Sequence, residues 1–176
     1  AVALVSDAGT PMVSDPGYRL VEAALAEGIT VTPIPGASAL LTALVAAGLP
    51  TDRFFFAGFL PSRHAARRTA LQGLHSVPST LVFYEAPGRV ADALRDMEAV
   101  LGDRPACLAR ELTKRFEEFR RGTLSSLAAS AEDEPPRGEC VILVGPPGKE
   151  AGEEAALDQM LMDALSRESV RDAAAM

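Results

Sequence analysis

Apolar runs of four to six residues, each followed by a turn-forming loop and then a helical pattern, recur along the chain, and this alternation restricts the fold more than any other feature. Val2–Val5 reads as a strand, Ser6 to Gly17 as a loop rich in Gly, Pro, Ser and Asp, and Tyr18 to Glu27 as a helix with Leu20, Val21, Ala24 and Leu25 on one face. Ile29–Ile34 is a second predicted strand, Pro35-Gly36 a turn and Ala37–Ala47 a second, mostly apolar helix. The pattern restarts after Thr51-Asp52. Strands are predicted at Phe54–Phe59, Thr80–Tyr84, Ala106–Ala109, Phe116–Arg121 and Cys140–Val144, with helices at Arg63–Leu74, Arg89–Leu101 and Leu124–Ala131. The expectation is an α/β chain in three parts: residues 1–52 and 53–148 as two α/β units, then residues 149–176 as an acidic linker and an amphipathic piece carrying Leu157, Met160, Leu161, Ala164 and Leu165.

With 176 residues, 48% of them hydrophobic and 23% charged, the chain can bury a core, which excludes a disordered tail. Its longest apolar stretch, Ala37 to Leu49, is too short to span a bilayer, and no signal peptide is read, so no membrane partner is expected. Two cysteines, each inside an apolar run, fit a reducing cytoplasm better than a disulfide framework. Ala1 opens directly in an apolar run and Met176 closes in an unfinished helical pattern, so the chain reads as a piece of a longer protein.

The net charge of −7 argues against a polyanion partner until it is divided along the chain. Residues 1–52 carry −4, residues 53–121 carry +4 and residues 122–176 carry −7. Arg makes up 15 of the 17 basic residues, and its planar fork suits phosphate and carboxylate; a GC-rich genome gives the same composition.

Two loops join a strand to a helix start, where backbone N–H groups are free to bind a ligand. The first is Ser6-Asp7-Ala8-Gly9-Thr10-Pro11-Met12-Val13-Ser14-Asp15-Pro16-Gly17, which is neither a G-x-G-x-x-G nor a P-loop pattern. A long turn with an Asp or Ser cap fits the same residues. In the second, Ile34 to Ala39, Gly36 permits close backbone approach, and Ser38 reads locally as a helix cap.

These loops, together with Leu49-Pro50-Thr51-Asp52-Arg53-Phe54, Gly58-Phe59-Leu60-Pro61, Phe83-Tyr84-Glu85-Ala86-Pro87 and Ala109-Arg110-Glu111-Leu112-Thr113-Lys114-Arg115-Phe116-Glu117-Glu118, closely resemble the bacterial small-subunit ribosomal RNA 2′-O-ribose methyltransferases, a branch of the tetrapyrrole methylase superfamily. The resemblance runs over most of residues 2–145. It implies a two-domain tetrapyrrole methylase-like fold with the first domain incomplete, S-adenosyl-L-methionine bound in the cleft between domains, and a homodimer. The implied activity is 2′-O-methylation of a cytidine ribose in the decoding region of 16S rRNA in the small ribosomal subunit. By the same resemblance Gly9, Thr10, Pro11, Ser38, Ala39, Tyr84 and Ala109 are cofactor-binding, with Thr10 standing where many relatives have Asp. Relatives also begin with a segment, including a Gly-Asn loop, that is not found here.

A ribose hydroxyl becomes a good nucleophile when a carboxylate accepts its proton. Among Asp7, Asp15, Glu85, Glu111, Glu117 and Glu118, Glu85 is the first choice for a catalytic base because it ends a strand at the expected cleft. Helix capping or pairing with a neighbouring Arg competes with that role for each acid. Arg63, Arg67 and Arg68, with Lys114 and Arg115, are candidates for RNA phosphate binding, alongside Arg120 and Arg121; a solvated basic face is the plainer alternative. His64 and His75 lack partners at ligand spacing, so no metal is expected. Two rivals remain open: a methylase of a tetrapyrrole or other small substrate, which would not need the basic surface, and a non-catalytic binding or dimerisation fragment.

Overall fold

A computed structural model describes residues 2–148. The elements run α1 (Tyr18–Ala26), α2 (Ala39–Ala46), β1 (Phe54–Phe59), α3 (His64–Gln72), β2 (Thr80–Glu85), a 3₁₀ turn (Pro87–Arg89), α4 (Val90–Leu101), β3 (Pro105–Arg110), β4 (Glu118–Thr123), α5 (Leu124–Asp133) and β5 (Cys140–Val144). The five strands form one sheet in the order β1-β2-β5-β3-β4. Only β1 and β2 are parallel; β5 inserts antiparallel between β2 and β3, and β4 pairs antiparallel with β3.

Alternation along the strands assigns the two faces. Leu81 and Phe83 of β2, Ala106 and Leu108 of β3, and Cys140, Ile142 and Val144 of β5 point into a large core with α3, α4 and α5. The intervening Val82, Cys107, Ala109, Val141 and Leu143 meet Ala43, Leu44 and Ala47 of the α2 region on the opposite face. β5 lies at the centre and is buried at every position, which is why it reads as an unbroken apolar run. Helix α4 buries Val90, Ala93, Leu94, Met97 and Leu101, the period of one helical face, and ends before Gly102. Helix α5 starts in a capping box between Thr123 and Ser126.

Two expected strands are absent. Val2–Val5 and Ile29–Ile34 are extended coil, because no strand among the described residues lies beside either of them to complete a hydrogen-bond ladder. Their side chains stay in water: Val2 is 93%, Val5 82% and Ile34 79% exposed. Helix α1 forms as expected, yet none of its residues is buried. The strand expected at Phe116–Arg121 lies two residues later, since residues 111–117 form a loop. The amphipathic segment around Leu157 lies outside the described residues. Among the described residues no helix is long and apolar enough to cross a membrane.

Cys107 and Cys140 are buried free thiols on opposite faces of the sheet, and burial pushes both up to about 11. The native chain should therefore resist iodoacetamide at about pH 8, with both thiols alkylated rapidly after unfolding in urea. Rapid labelling of the native chain would place at least one thiol outside the core described.

Candidate functional site

A cavity of about 860 Å³ opens where the loop 6–17, the start of α2, the end of β2 and the turn after β3 converge. The first loop is pinned from inside by the Ser6 hydroxyl, which donates to Asp15 Oδ2 at 2.6 Å. It is pinned to the second loop by Thr10 Oγ1, which donates to the Ala37 carbonyl at 3.1 Å. Gly9 adopts φ 74°, and a Cβ there would stand 3.3 Å from the same carbonyl oxygen. Both the left-handed backbone and the crowding favour glycine at this point. Met12 and Ser14 also take positive φ, so the loop follows a path that its non-glycine residues rarely adopt.

The start of α2 forms the adjoining wall. Ser38 caps it through an acceptor contact from the Leu41 amide at 3.5 Å, which is the local role its sequence suggested. The next free amide, that of Leu40, donates to the Tyr84 hydroxyl at 3.2 Å, so a side chain from β2 caps a helix 44 residues away in sequence. The Tyr84 ring stands edge-on to Phe56 and Phe59, with centroids at 4.8 and 5.7 Å. Burial is the main cause that raises the Tyr84 phenol, the Leu40 amide opposing it, so the hydroxyl keeps its proton. That O–H has no acceptor among the described residues and is left to donate toward the cavity.

Glu85 is 3% exposed. Its Oε1 accepts from Arg89 Nε at 2.6 Å and from the Ala86 amide at 2.8 Å, and Arg89 is itself anchored on the Leu60 carbonyl at 3.0 Å. Glu85 Oε2 is buried without a partner. An orphaned buried acceptor is costly, and this one lies on the same face of β2 as Phe83, opposite Tyr84. The rim after β3 is a braced loop. Glu111 and Glu139 exchange backbone and side-chain hydrogen bonds, and Lys114 Nζ lies 2.9 Å from Glu111 and 3.0 Å from Glu139. The Glu111 carboxylate also packs against Gly138 at φ 80°, where no Cβ fits.

Gly9, Thr10, Ser38, Ala39, Tyr84 and Glu85 thus line one cavity. Pro11 does not line it, and Ala109 is fully buried in the α2-facing core, because its position in the β3 alternation turns its methyl toward Val141 and Leu143. Arg67 is likewise not a free RNA-facing cation. It is 4% exposed, with Nε 2.6 Å from Asp96, whose carboxylate also lies 2.9 Å from His64 Nδ1. Arg63, Arg68 and Arg115 are exposed or half-buried, and Lys114 is held between two carboxylates. Arg120 is engaged by Glu118, and Arg121 donates to the Ala46 carbonyl at 2.6 Å. Sequence reasoning missed Arg89 as the anchor of Glu85, although the i, i+4 spacing was visible. It also missed the Ser6–Asp15 lock, for which there was no local signal.

Comparison with known proteins adds the following. The family description of tetrapyrrole (corrin/porphyrin) methylases matches residues 1–128. Proteins named ribosomal RNA small subunit methyltransferase I are similar to this chain: that of Mesorhizobium japonicum is 55% identical over 164 residues, covering 92% of this chain and 56% of its own, and that of Pseudomonas aeruginosa is 51% identical over 172 residues, covering 92% and 61%. The chain spans a little over half the length of these curated relatives. Among solved structures, the methyltransferase CobJ is similar at TM-score 0.57 and 22% identity, covering 78% of this chain and 62% of its own. A Thermus thermophilus uroporphyrin-III C-methyl transferase complexed with S-adenosylhomocysteine is similar at TM-score 0.53 and 24% identity, covering 77% and 62%. At these identities the structures establish the fold.

Two outcomes follow from the site's geometry. Tyr84→Phe leaves the Leu40 amide without its acceptor and should cost about 1 kcal/mol in urea unfolding; an unchanged midpoint would show that water caps α2 equally well. The Glu111 carboxyl is held below its ordinary 4.5, first by the Glu139 amide and then by Lys114, so its contribution is present above that value and is lost as pH falls through the lowered one. Thermal melts of parent and Glu111→Gln should differ most near neutral pH and converge in acid.

Proposed function

The chain belongs to the tetrapyrrole (corrin/porphyrin) methylase family, and from that premise we propose that it is the part of an S-adenosyl-L-methionine-dependent ribosomal RNA methyltransferase that carries much of the cofactor site. The observation that carries the proposal is the convergence of Gly9-Thr10, Ser38-Ala39 and Tyr84-Glu85 on one cavity. Its volume lies in the range of small-molecule sites, roughly 300–1,000 Å³. Its wall offers a polar ligand an unused phenol donor on Tyr84.

When bound, S-adenosyl-L-methionine supplies an electrophilic methyl group on a sulfonium. The chain's own residues then have three tasks. The backbone of Gly9 and Thr10, with Ser38 and Ala39, holds the cofactor, and the Tyr84 hydroxyl donates to it. Glu85, fixed through Oε1 by Arg89, is the base that takes the proton of the attacking hydroxyl once its buried Oε2 is uncovered. Arg63, Arg68, Lys114 and Arg115, within the basic middle of the chain, contact RNA phosphates. The finer assignments that the family resemblance implies belong to the same reading: the cytidine 2′-hydroxyl in the decoding region of 16S rRNA as acceptor, a homodimer and a cytoplasmic site. So does the division into a first α/β domain reaching residue 52 and a second from residue 53.

Isothermal calorimetry with S-adenosylhomocysteine tests the cavity. The chain should bind, and Gly9→Val should abolish binding because a β-branched side chain meets both the left-handed backbone and the Ala37 carbonyl. Equal binding by Gly9→Val removes this loop from the site. With unmethylated small subunits as substrate, Glu85→Gln should lower the rate of methyl transfer about 10²–10⁴-fold with S-adenosylhomocysteine affinity unchanged. A loss confined to affinity makes Glu85 a cofactor ligand instead of a base.

A further inference from the structure

Between Leu60 and Gly148 one large apolar side chain stands exposed, Phe116 at 62%; before that stretch the edge strand β1 also exposes Phe54, Phe55 and Phe59. Every other large hydrophobic of that stretch is buried or half-buried, so its exposure there is a local exception. Phe116 sits on the loop between β3 and β4, whose residues Leu112, Thr113 and Lys114 line the large cavity. The ring is therefore displayed two residues from the cavity wall.

The loop is also built to hold that display. Lys114 N donates to the Glu111 carbonyl at 3.0 Å and Glu117 N to the Lys114 carbonyl at 3.2 Å, while the Glu117 carboxylate accepts from the Thr113 amide at 2.6 Å. Glu111 is tied across to Glu139 by both its amide and its carboxylate. Glu111 and Thr113 take φ of 48° and 64°, conformations that non-glycine residues adopt only where surrounding bonds enforce them. The Arg115 guanidinium lies 5.6 Å from the Phe116 ring centroid. An aromatic ring beside an exposed guanidinium matches the two halves of a nucleotide, a π-face and an anionic phosphate.

We propose that Phe116, with Arg115 beside it, is a stacking platform that receives an unpaired nucleobase of the RNA substrate at the mouth of the methyl-transfer cavity. The proposal deepens the methyltransferase reading and rests on it for the identity of the ligand. Single-stranded RNA bases are commonly bound by stacking on aromatic and Arg planes, because every base offers a π-face and the platform need not read its edge. Such a platform fixes where along the RNA a ribose enters the cavity, so Phe116 is a positioning residue.

The test uses the 176-residue chain and a decoding-region RNA hairpin carrying 2-aminopurine beside the target cytidine, with RNA affinity read by anisotropy and stacking by quenching of the 2-aminopurine signal. Phe116→Ala should weaken RNA binding about fivefold or more and abolish the quenching, since base–aromatic stacking carries most of that energy. Phe116→Trp should restore both, and Phe116→Leu, apolar but without a π-face, should restore neither. S-adenosylhomocysteine affinity should be the same in all three, which also shows that they fold. Parent-like RNA binding and quenching by Phe116→Leu or Phe116→Ala overturns the platform while leaving the cofactor reading intact. Absence of S-adenosylhomocysteine binding by a parent chain that still quenches 2-aminopurine defeats the methyltransferase reading and leaves the platform standing. If light scattering shows Phe116→Ala turning a dimer into a monomer with RNA affinity per protomer unchanged, the ring is a self-association contact and the proposal fails.

Discussion

Helix α2 binds the first fifty residues to the sheet, and it is clamped at both ends by side chains from strands. At its start the Tyr84 hydroxyl of β2 accepts the Leu40 amide, and at its end Arg121 of β4 donates to the Ala46 carbonyl. Between the clamps Ala43, Leu44 and Ala47 are buried against Val82, Cys107, Ala109, Val141 and Leu143. A helix leaves free N–H groups at one end and free carbonyls at the other, and here one group from each end finds a partner on the sheet. The cavity is a consequence of this docking. Once α2 is seated, the Ala37 carbonyl holds Thr10, and Thr10 brings the first loop over the end of β2.

The same junction concentrates the buried charge. Glu85 with Arg89, and Asp96 with Arg67 and His64, lie along the two ends of the segment that runs from β2 through the 3₁₀ turn into α4. Burying an ion costs several kcal/mol and is offset only by good partners, so ion pairs of this kind are weak stabilisers and strong positioners. For Glu85 the positioning is explicit: one oxygen accepts from Arg89 and the Ala86 amide and the other is buried without a partner. The Arg67–Asp96 pair serves packing, joining α3 to α4 beside the apolar contacts of Leu71 and Leu94.

Exposed apolar surface is unevenly distributed. Residues 60–148 hide their large hydrophobic side chains apart from Phe116, whereas Val2, Val5, Leu20, Leu25, Ile29 and Ile34 in the first fifty residues, and Phe54, Phe55 and Phe59 of the edge strand β1, are open. The difference follows from layering. The sheet has helices on both faces, and β2, β5 and β3 each have neighbours on both sides, but nothing among the described residues packs on the outer side of α1 or pairs with the extended segments near it.

Periodicity in the sequence by itself determined the elements from Phe54 onward, within a residue or two apart from the shifted β4. Alternating burial in β2, β3 and β5 and the one-sided face of α4 are local properties, and they were legible because each side chain's neighbours lie two, three or four residues away. The two ligand-facing loops were legible from their Gly, Pro and Asp content, and the family from their order. Tertiary structure alone decided whether Val2–Val5 and Ile29–Ile34 became strands, because a ladder needs a neighbour that periodicity cannot supply. It also decided the fate of the arginines. Arg67 and Arg68 are adjacent in sequence, yet the helix turns one into a buried pair with Asp96 and leaves the other half-buried with its own environment. A guanidinium is equally suited to a carboxylate inside the protein or a phosphate outside it, and only the partner that folding brings within reach selects between them.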